Sequence, residues 1–416
     1  NPKSFLLGWA DGKDIGLHSN FKLTKAGEEI GLFSPQGELL DFLIYEAQST
    51  DVSYGRTVDG GSESGYFLSP TPAASNTTEV FEGIAFSNIQ FSESGGFYDE
   101  PLAVELTSLE GNIRYTLDGS LPTETDLLYT EAIPIDRTTI IRASVFLPNF
   151  IPSKAYTNSY FFQENFENRG LPVVSLATNP EYFWDADIGL YVQDFKPTWE
   201  YPVNIELFEN DGGSRAAFNE LGGTKVNGQN AWELPQKMLG IYFDNEYDKN
   251  DVDYPLFFDR NRTKYDNFIL RASGSDWSET LFRDGLCQGL TSETMDLEKS
   301  GFRPAIVFIN GEYLGIHNLR SRINESFIED NFGYASNEYD LIENDQYHRA
   351  VNYLKGNYTR EEFLEIADVI GKYTVAMKDL FDGDEENARK LFNETTDSGP
   401  RGFWPSEAEL MMLDGK

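Results

Sequence analysis

Hydrophobic and polar residues alternate through one stretch near residue 310, and the stretch predicts a β-hairpin that leads into a helix. Ala305–Ile309 is a short apolar run, and Asn310-Gly311 supplies two residues that tolerate the positive φ of a type I′ turn. Tyr313–Leu319 returns as a second strand. A period of two places four residues on one face of that strand: Tyr313, Gly315, His317 and Leu319. The helix is predicted to be capped near Asn324 and to end at Gly333.

Apolar residues at steps of three and four predict further helices. One covers residues 276–290, where Asp276 and Glu279 have the spacing of a capping box. Asp284 is predicted to point away from the buried apolar stripe of this helix. That stripe is formed by Phe282, Leu286 and Leu290, with Cys287 as a small core residue beside it. A longer helix is predicted over residues 363–380 and a shorter one over 383–394.

Turn-rich and Pro-rich segments divide the chain into three parts. Residues 1–76 alternate short strands and turns, and the Pro-, Ser- and Thr-rich segment 69–78 is predicted to be a linker. Residues 79–163 form a second all-β unit. Residues 164–416 are long enough, and mixed enough in their periodicity, for a large α+β domain.

Within these parts the clearest short elements are strands and turns. Residues 27–33 and 38–47 flank a Ser-Pro-Gln-Gly turn and predict a hairpin. Asp118-Gly119 predicts a second turn, in which Asp118 bonds the nearby backbone and is not a catalyst. Residues 171–178 and 202–209 are predicted to be strands of the large domain.

Composition excludes several classes of function. The chain has 416 residues and a formal net charge of −36, from 69 acidic against 33 basic residues. Such a surface repels nucleic acid and anionic membranes, so neither is predicted as a partner. No apolar run approaches the roughly 18 residues of a membrane-spanning helix. The three histidines lie far apart in sequence, so structural roles are predicted for them and no metal site is assigned.

The hairpin stretch RPAIVFINGEYLGIHNLRSRI resembles the core hairpin of the CotH-type kinase-like family. This family contains the spore-coat protein kinases and many relatives in secreted bacterial multidomain proteins. Residues 234–243, 254–259 and 270–286 extend the resemblance, which we trace over about residues 171–416. The resemblance implies an atypical protein-kinase-like fold for the third part of the chain.

Two further resemblances concern the first two parts. Residues 1–76 resemble a lamin-tail domain through Phe21-Lys22-Leu23, with the opening strands missing. Residues 79–163 resemble the β-sandwich at the C-terminus of chitobiases and hexosaminidases, through Tyr115–Ser120 and Ile141-Arg142-Ala143. The predicted fold class is therefore two all-β immunoglobulin-like sandwiches followed by an α+β atypical kinase-like domain. We expect the chain to be a fragment, truncated at its N-terminus and incomplete at the C-terminus of the kinase-like domain.

The kinase resemblance implies three candidate residues for nucleotide binding. Phosphoryl transfer needs a cation for the phosphates, oxygen ligands for magnesium and a carboxylate that orients the attacking hydroxyl. Lys237 aligns with the family's lysine after a Pro-Gln pair, so ATP with Mg or Mn is implied as cofactor; the alternative is a surface lysine on a strand. Arg283 and Asp284 match the family's Arg-Asp pair, either in the nucleotide cleft or as a bridge between helix and sheet. The catalytic residues are expected beyond Lys416.

Two departures from the family pattern put nucleotide binding in doubt. Relatives often carry a Gly-Ser-Arg-like element where this chain has residues 228–233, and a glutamate where it has Ser321. The acidic stretch 339–348 matches a non-catalytic strand of the family. By itself, then, the chain is expected to be inactive.

Two classes of function therefore stay open. The first is a secreted or cell-surface multidomain protein whose kinase-like domain binds ATP and phosphorylates exported proteins. The second is a non-catalytic surface or adhesion protein, in which the kinase-like domain is a degenerate scaffold and the sandwiches are spacers or contact proteins or surface polysaccharide. Two β-sandwiches in series favour an extracellular location under either hypothesis.

Overall fold

The computed structural model describes most of the first 334 residues. These are residues 4–162, 170–192, 195–196, 198–209, 215–228, 234–259, 262–292 and 299–334. The chain divides into two compact units, Asn1–Arg322 and Ile323–Lys416. The predicted helices over 363–380 and 383–394, the acidic stretch 339–348 and most of the segment 228–233 lie outside the described residues.

The N-terminal part contains two hairpins. The first pairs β1 (Glu28–Phe33) with β2 (Leu39–Tyr45), and the second pairs β3 (Ser53–Arg56) with β4 (Ser64–Phe67). The backbone N–H of Gly37 donates to the Ser34 carbonyl at 2.9 Å, which closes the predicted turn. The hairpin over residues 27–47 is thus confirmed, while the lamin-tail resemblance stays a prediction.

The segment predicted to be a linker is held against the first part of the chain. The Asn76 side-chain amide donates to the Arg56 carbonyl at 2.8 Å, and the Ser75 hydroxyl donates to the Asp59 carboxylate at 2.5 Å. Tyr66 of β4, which precedes this segment, packs in a small apolar cluster with Ile84 and Ile151 of the second part. The first two parts are therefore joined by packing as well as by the chain.

The second part is a β-sandwich. One sheet has five strands, and shorter pairs of strands accompany it. Its apolar core includes Ile113, Ile141, Val145 and Tyr160. The strands are β5 (Gly83–Ile84), β6 (Gln90–Phe91), β7 (Gly96–Tyr98), β8 (Leu102–Val104), β9 (Leu106–Thr107), β10 (Asn112–Thr116), β11 (Leu127–Leu128), β12 (Ile133–Ile135), β13 (Thr139–Phe146), β14 (Phe150–Ile151) and β15 (Tyr156–Phe162). The five-stranded sheet has the order β11-β10-β13-β15-β7, and the shorter pairs include β8 with β12 and β6 with β9.

The third part is built on a closed barrel. Its described elements are β16 (Val173–Ala177), α1 (Glu181–Trp184), β17 (Tyr201–Phe208), β18 (Phe218–Val226), β19 (Leu239–Tyr242), β20 (Val252–Asp253), β21 (Lys264–Tyr265), β22 (Asn267–Arg271), α2 (Arg283–Ser292), β23 (Phe302–Ile309) and β24 (Glu312–Arg320). The barrel order is β16-β17-β18-β19-β22-β24-β23, and the parallel pair of β16 and β23 closes it. Strands dominate and pair into sandwich-like sheets and this barrel, so the predicted fold class is confirmed.

The hairpin of β23 and β24 has the predicted turn but not the predicted faces. The pairing register shifts next to Phe308, so Leu314 is an extra residue in its strand. Leu314 packs against the barrel core that contains Leu319, whereas Tyr313 lies with its ring centroid 5.8 Å from that of Phe308. A bulge of this kind reverses the alternation, and Gly315 accommodates it with a φ of 126°. The prediction that Tyr313 shares a face with Leu319 is therefore wrong.

The helix predicted from Asp276 begins seven residues later. Leu281 has a φ of 65°, which interrupts helical hydrogen bonding, and α2 starts at Arg283. The Asp276 carboxylate still caps this turn by accepting from the backbone N–H groups of Thr280 at 3.2 Å and Arg283 at 3.0 Å. Glu279 pairs with the Arg283 side chain. The predicted capping box is thus wrong.

The buried face of α2 is also different from the predicted one. The predicted stripe is exposed, at 49% for Phe282, 48% for Leu286 and 64% for Leu290, and Cys287 is exposed too. The helix instead packs through Gly285, where an added Cβ would lie 2.3 Å from the Phe302 ring. The prediction of a Phe-Leu-Leu stripe fails because a glycine permits closer approach to the sheet than those side chains would.

The second compact unit begins with a helix whose ends were predicted. This helix, α3 (Glu325–Phe332), follows Asn324, whose side chain accepts from the Phe327 N–H, and Gly333 ends it with a φ of 74°. Both predicted ends are confirmed. Asparagine at the cap and a left-handed glycine at the end are the usual signals of helix termini.

The sandwich and the barrel share an aromatic core. Phe161 of β15 is 1% exposed. Its ring centroid lies 5.3 Å from that of Phe208 on β17, 4.9 Å from that of Phe308 on β23 and 5.5 Å from that of Phe97 on β7. The two modules are therefore packed together by a common apolar contact.

A buried carboxyl group lies beside that aromatic core. Glu206 of β17 accepts hydrogen bonds from the Ser159 hydroxyl at 2.5 Å and from the Ser159 backbone N–H at 3.2 Å. The Ser159 hydroxyl also lies 2.8 Å from that of Ser175. Burial raises the pKa of Glu206 to about 7, although the bonds from Ser159 oppose this rise. The interface thus contains a carboxyl group that titrates near neutral pH.

The tip of the β23–β24 hairpin also contacts the sandwich. The Asn310 side chain is held by Thr178, whose N–H donates to it at 3.0 Å and whose carbonyl accepts from it at 2.9 Å. A Cβ added to Gly119 would lie 2.0 Å from Asn310 Oδ1. The sandwich turn Asp118-Gly119 therefore fits against the hairpin tip only because it carries a glycine.

Candidate functional site

Lys237 lies just before β19, not on a strand as predicted. It is 4% exposed, and its Nζ is 5.9 Å from the ring centroid of Tyr191 and 5.5 Å from that of Phe195. Loss of hydration through burial lowers the pKa of Lys237. A cation held over aromatic faces and out of water is poised to attract an anion. The alternative of an ordinary surface lysine is therefore excluded by its burial.

A buried hydrogen-bond network holds the backbone of Lys237. His317 Nε2 lies 3.1 Å from the Lys237 carbonyl, and His317 Nδ1 lies 2.8 Å from Gln236 Nε2. A carbonyl can only accept, so Nε2 carries the proton and Nδ1 accepts from Gln236. Trp277 Nε1 donates to Gln236 Oε1 at 3.0 Å. Burial lowers the pKa of His317 to about 4, so the ring is neutral at physiological pH.

These partners were not predicted as site residues. Gln236 and His317 are separated by 81 residues in sequence, and Gln236 and Trp277 by 41. Only the barrel brings them together, so periodicity along the chain gives no signal for the contact. The prediction that histidines have structural roles is confirmed for His317, whose two ring nitrogens are engaged.

Arg283 and Asp284 are adjacent in α2 but belong to different ion pairs. Arg283 pairs with Asp276 at 3.2 Å and with Glu279. Asp284 pairs with Arg271 of β22 at 3.4 Å and with Arg320 of β24 at 3.2 Å. Asp284 therefore fastens α2 to two barrel strands, which supports the bridging alternative for this residue.

The turn before α2 connects the Lys237 network to Arg283. Trp277, which donates to Gln236, is preceded by Asp276, which pairs with Arg283. Asn318 of β24 adds a second anchor, since its amide donates to the Ser273 hydroxyl at 2.8 Å and to the Leu281 carbonyl at 2.6 Å. Lys237 and Arg283 are thus linked through one hydrogen-bonded turn.

Ser321 has a structural role at the end of β24. Its hydroxyl accepts from the Gly301 N–H at 2.7 Å, and its carbonyl accepts from the Ser300 hydroxyl at 2.6 Å. The side chain is buried. A position where relatives often carry a glutamate is here used to join β24 to the start of β23.

The described residues do not assemble a metal site. Within the ranges that the structure describes, no group of three or more His, Cys, Asp or Glu side chains could hold a metal ion. The carboxylates of Asp276 and Asp284 are engaged by donors and by arginine, as given above. In this part of the chain, Lys237 fits a phosphate contact, and these two carboxylates do not fit a magnesium site.

Comparisons with known families agree with this description. The family model described as CotH kinase protein matches residues 224–399, which include Lys237, Arg283 and Asp284. The model described as chitobiase/beta-hexosaminidase C-terminal domain matches residues 93–157. No curated protein matched the chain. The chain is therefore a multidomain protein with a CotH kinase-family domain and a chitobiase C-terminal-type domain.

The matched residues do not cover the whole barrel. Strands β16 and β17 and most of β18 precede residue 224, yet they close the barrel with the matched strands. Among the described residues, no helix is long and apolar enough to cross a membrane.

Proposed function

We propose that residues 164–416 form the nucleotide-binding part of an atypical kinase-like domain, which binds ATP with Mg or Mn and phosphorylates exported proteins. The whole chain would act outside the cell or on its surface. The observation that carries this proposal is Lys237, a buried cation inside the CotH kinase-family match. ATP when bound supplies the phosphoryl group, and the ammonium of Lys237 neutralises charge on its phosphates.

Other residues of the site have positioning roles in this proposal. Gln236, His317 and Trp277 hold the backbone at Lys237 in place, so the cation is pre-organised before a nucleotide arrives. Arg283 is the second candidate for a phosphate contact, because its side chain is about half exposed. Asp284 keeps α2 against the barrel.

The test is nucleotide binding by Lys237→Ala beside a matched control. The unchanged chain should bind MgATP or MnATP in titration calorimetry and should melt at a higher temperature in its presence. Lys237→Ala should weaken binding by at least about tenfold, since a hydrogen bond to a charged group contributes about 1.5–3 kcal/mol. Lys264→Ala, at a lysine whose side chain is 63% exposed in the same module, should leave binding unchanged.

Stability separates a lost contact from a lost fold in this experiment. The nucleotide-free Lys237→Ala protein should keep the circular dichroism spectrum and the single melting transition of the unchanged protein, so that a loss of affinity reports a lost contact. Equal MgATP affinity of Lys237→Ala and Lys264→Ala would remove Lys237 from the site.

A non-catalytic surface protein is the second candidate function. The structural use of Ser321 favours it, because no carboxylate is available at a position where relatives often carry one. In that case the kinase-like domain is a scaffold, and the sandwiches contact exported proteins or surface polysaccharide. Absence of MgATP and MnATP binding by the unchanged chain would favour this candidate over the kinase.

A further inference from the structure

A cleft of about 690 Å³ opens between the sandwich and the barrel, away from Lys237. One wall comes from β13 and β15 of the sandwich, and the other comes from the outer faces of β17 and β18. Tyr156 and Tyr182 supply aromatic surface to it, and Asn158 and Asn204 supply amides. Ligand sites favour the junctions of modules and have volumes of about 300–1,000 Å³, so this cleft has the place and the size of a binding site.

Two buried side chains on the sandwich wall have polar atoms without a partner. Arg142 and Thr157 are direct neighbours across β13 and β15, and both line the cleft. They are 4% and 5% exposed. In the described part of the chain, Arg142 Nε and Thr157 Oγ1 have no hydrogen-bond partner. Buried polar groups are nearly always paired, so this pair of adjacent exceptions indicates that a ligand supplies the missing partner.

The groups around Arg142 leave its charge only partly compensated. Arg142 donates one hydrogen bond, to the Gly119 carbonyl at 2.7 Å. The Asp118 carboxylate attracts the Arg142 guanidinium electrostatically. The Asp118 carboxylate is itself engaged by Ser120, through its N–H at 2.9 Å and its hydroxyl at 2.6 Å. The guanidinium therefore retains donors for an anionic group.

Charge at the cleft differs in sign from the rest of the chain. Arg142, Lys154 and Lys249 line it, against a formal net charge of −36 for the whole sequence. Lys249 pairs with Glu220, and Asp248 pairs with Lys25, so the positive charge that remains at the cleft is that of Arg142 and Lys154. An anion is thus disfavoured over most of this surface and favoured here.

Two side-chain amides that are hydrogen-bonded to each other line the barrel wall of the cleft. The Asn204 amide donates to Asn219 Oδ1 at 2.9 Å, and the Asn219 amide donates to the Thr157 carbonyl at 2.6 Å. Tyr182 is stacked on Tyr201 with ring centroids 4.4 Å apart, which fixes its orientation at the cleft. Fixed amides and ring faces suit a ligand that has both hydroxyl groups and an apolar C–H face.

We infer that this cleft binds an acidic saccharide, a sugar chain that carries a carboxylate on its rings. The carboxylate would accept from Arg142 and Lys154, ring hydroxyls would bond Thr157 and the amides, and the C–H face of a ring would pack on tyrosine. Each interaction follows from the donor and acceptor inventory of the side chains. The inference is independent of nucleotide binding, since none of these residues belongs to the Lys237 site.

The test compares two forms of one probe. Tetragalacturonate, which carries four carboxylates, is titrated into the full chain by calorimetry beside its fully methyl-esterified form, which has the same sugar rings without charge. The acid form should bind, and the ester should bind about tenfold more weakly, because an ionic hydrogen bond is lost. Equal affinity for the two forms would overturn the assignment of an anionic ligand.

Two variants test the residues of the cleft. Thr157→Val keeps the shape of the side chain and removes its unpartnered hydroxyl, so affinity should fall several-fold while the melting temperature stays the same or rises. Lys154→Gln should weaken binding of the acid form and leave that of the ester unchanged. Lys13→Gln, with the same charge change away from the cleft, is the control. Unchanged affinity of Thr157→Val and Lys154→Gln would overturn the proposal.

Discussion

Replacing Phe161 with alanine is expected to lower the free energy of unfolding of the joined sandwich and barrel by about 3–5 kcal/mol. The ring is fully buried between strands of the two modules, and three other phenylalanine rings surround it. Truncation removes its apolar contacts and leaves a cavity that β-strands on both sides cannot close. Most of the lost unfolding free energy therefore comes from the contact between the two modules.

Urea unfolding followed by tryptophan fluorescence and by circular dichroism would measure this loss. Phe86→Ala is the matched control, because Phe86 lies in the sandwich part but is 67% exposed. It should change the unfolding free energy by no more than about 0.5 kcal/mol. If Phe161→Ala were as mild as Phe86→Ala, the aromatic contact would not join the two modules.

The second large effect concerns pH, through Glu206. Its pKa is raised from 4.5 to about 7, so the folded protein binds a proton in that interval that the unfolded chain releases. A folded state that binds more protons loses stability as pH rises. Glu206 should therefore stabilise the protein fully below about pH 4.5 and should lose about 3 kcal/mol of that contribution by pH 7, at roughly 1.4 kcal/mol per pH unit.

His317 acts in the opposite direction over nearly the same interval. Its pKa is lowered from 6.5 to about 4, so the unfolded chain binds the extra proton between these values. Stability from His317 is thus present above about pH 6.5 and is lost as pH falls toward 4. Between pH 4.5 and 6.5 the two residues nearly cancel, and the contribution of this pair to stability should be almost flat.

Glu206→Gln separates the two effects. The amide keeps the size of the side chain and cannot titrate, so the variant should gain stability as pH rises from 4 to 6.5. The measurement is the difference in unfolding free energy between the unchanged protein and Glu206→Gln at several pH values from 4 to 8. Between pH 4.5 and 7, the unfolding free energy of the unchanged protein should fall by about 3 kcal/mol relative to that of Glu206→Gln. A difference independent of pH would show that Glu206 does not titrate in this range.

Local signals in the sequence predicted the turns of this fold and both ends of α3 well, although the capping box predicted at Asp276 was wrong. Asn310-Gly311, the Ser34–Gly37 turn and the ends of α3 all follow from the conformational range of asparagine and glycine. Each depends on a few neighbouring residues. Predictions of this kind succeed because the physical cause lies within the same short segment.

Predictions of buried faces were less successful where one residue changes the local geometry. The extra residue Leu314 reverses the alternation of β24, and the left-handed Leu281 delays the start of α2. Because α2 starts late, Phe282 is exposed, and Gly285 is the residue of α2 that packs against the sheet. Periodicity assumes an uninterrupted element, so it cannot register such changes.

The candidate site was predictable only in part. Family resemblance pointed to Lys237, but its burial over aromatic rings depends on Tyr191 and Phe195, which precede it by some 40 residues. The cleft residues Arg142 and Thr157 gave no functional signal in sequence at all. They become neighbours through strand pairing within the sandwich, and their unpartnered atoms are visible only in three dimensions.

The contact of Gly119 with the hairpin tip limits which insertions and module exchanges this protein can tolerate. Tips of two-residue turns are usually tolerant of inserted peptides, tags and new loops, because they project into solvent. Here the tip at Asn310 meets the sandwich at Gly119 and is also tied to Thr178. Insertion at this turn should therefore push the modules apart, and a sandwich exchanged from another protein would need a glycine at the same place. The arrangement of the two modules is thus constrained by the steric fit at Gly119 as well as by the covalent linkage of the chain.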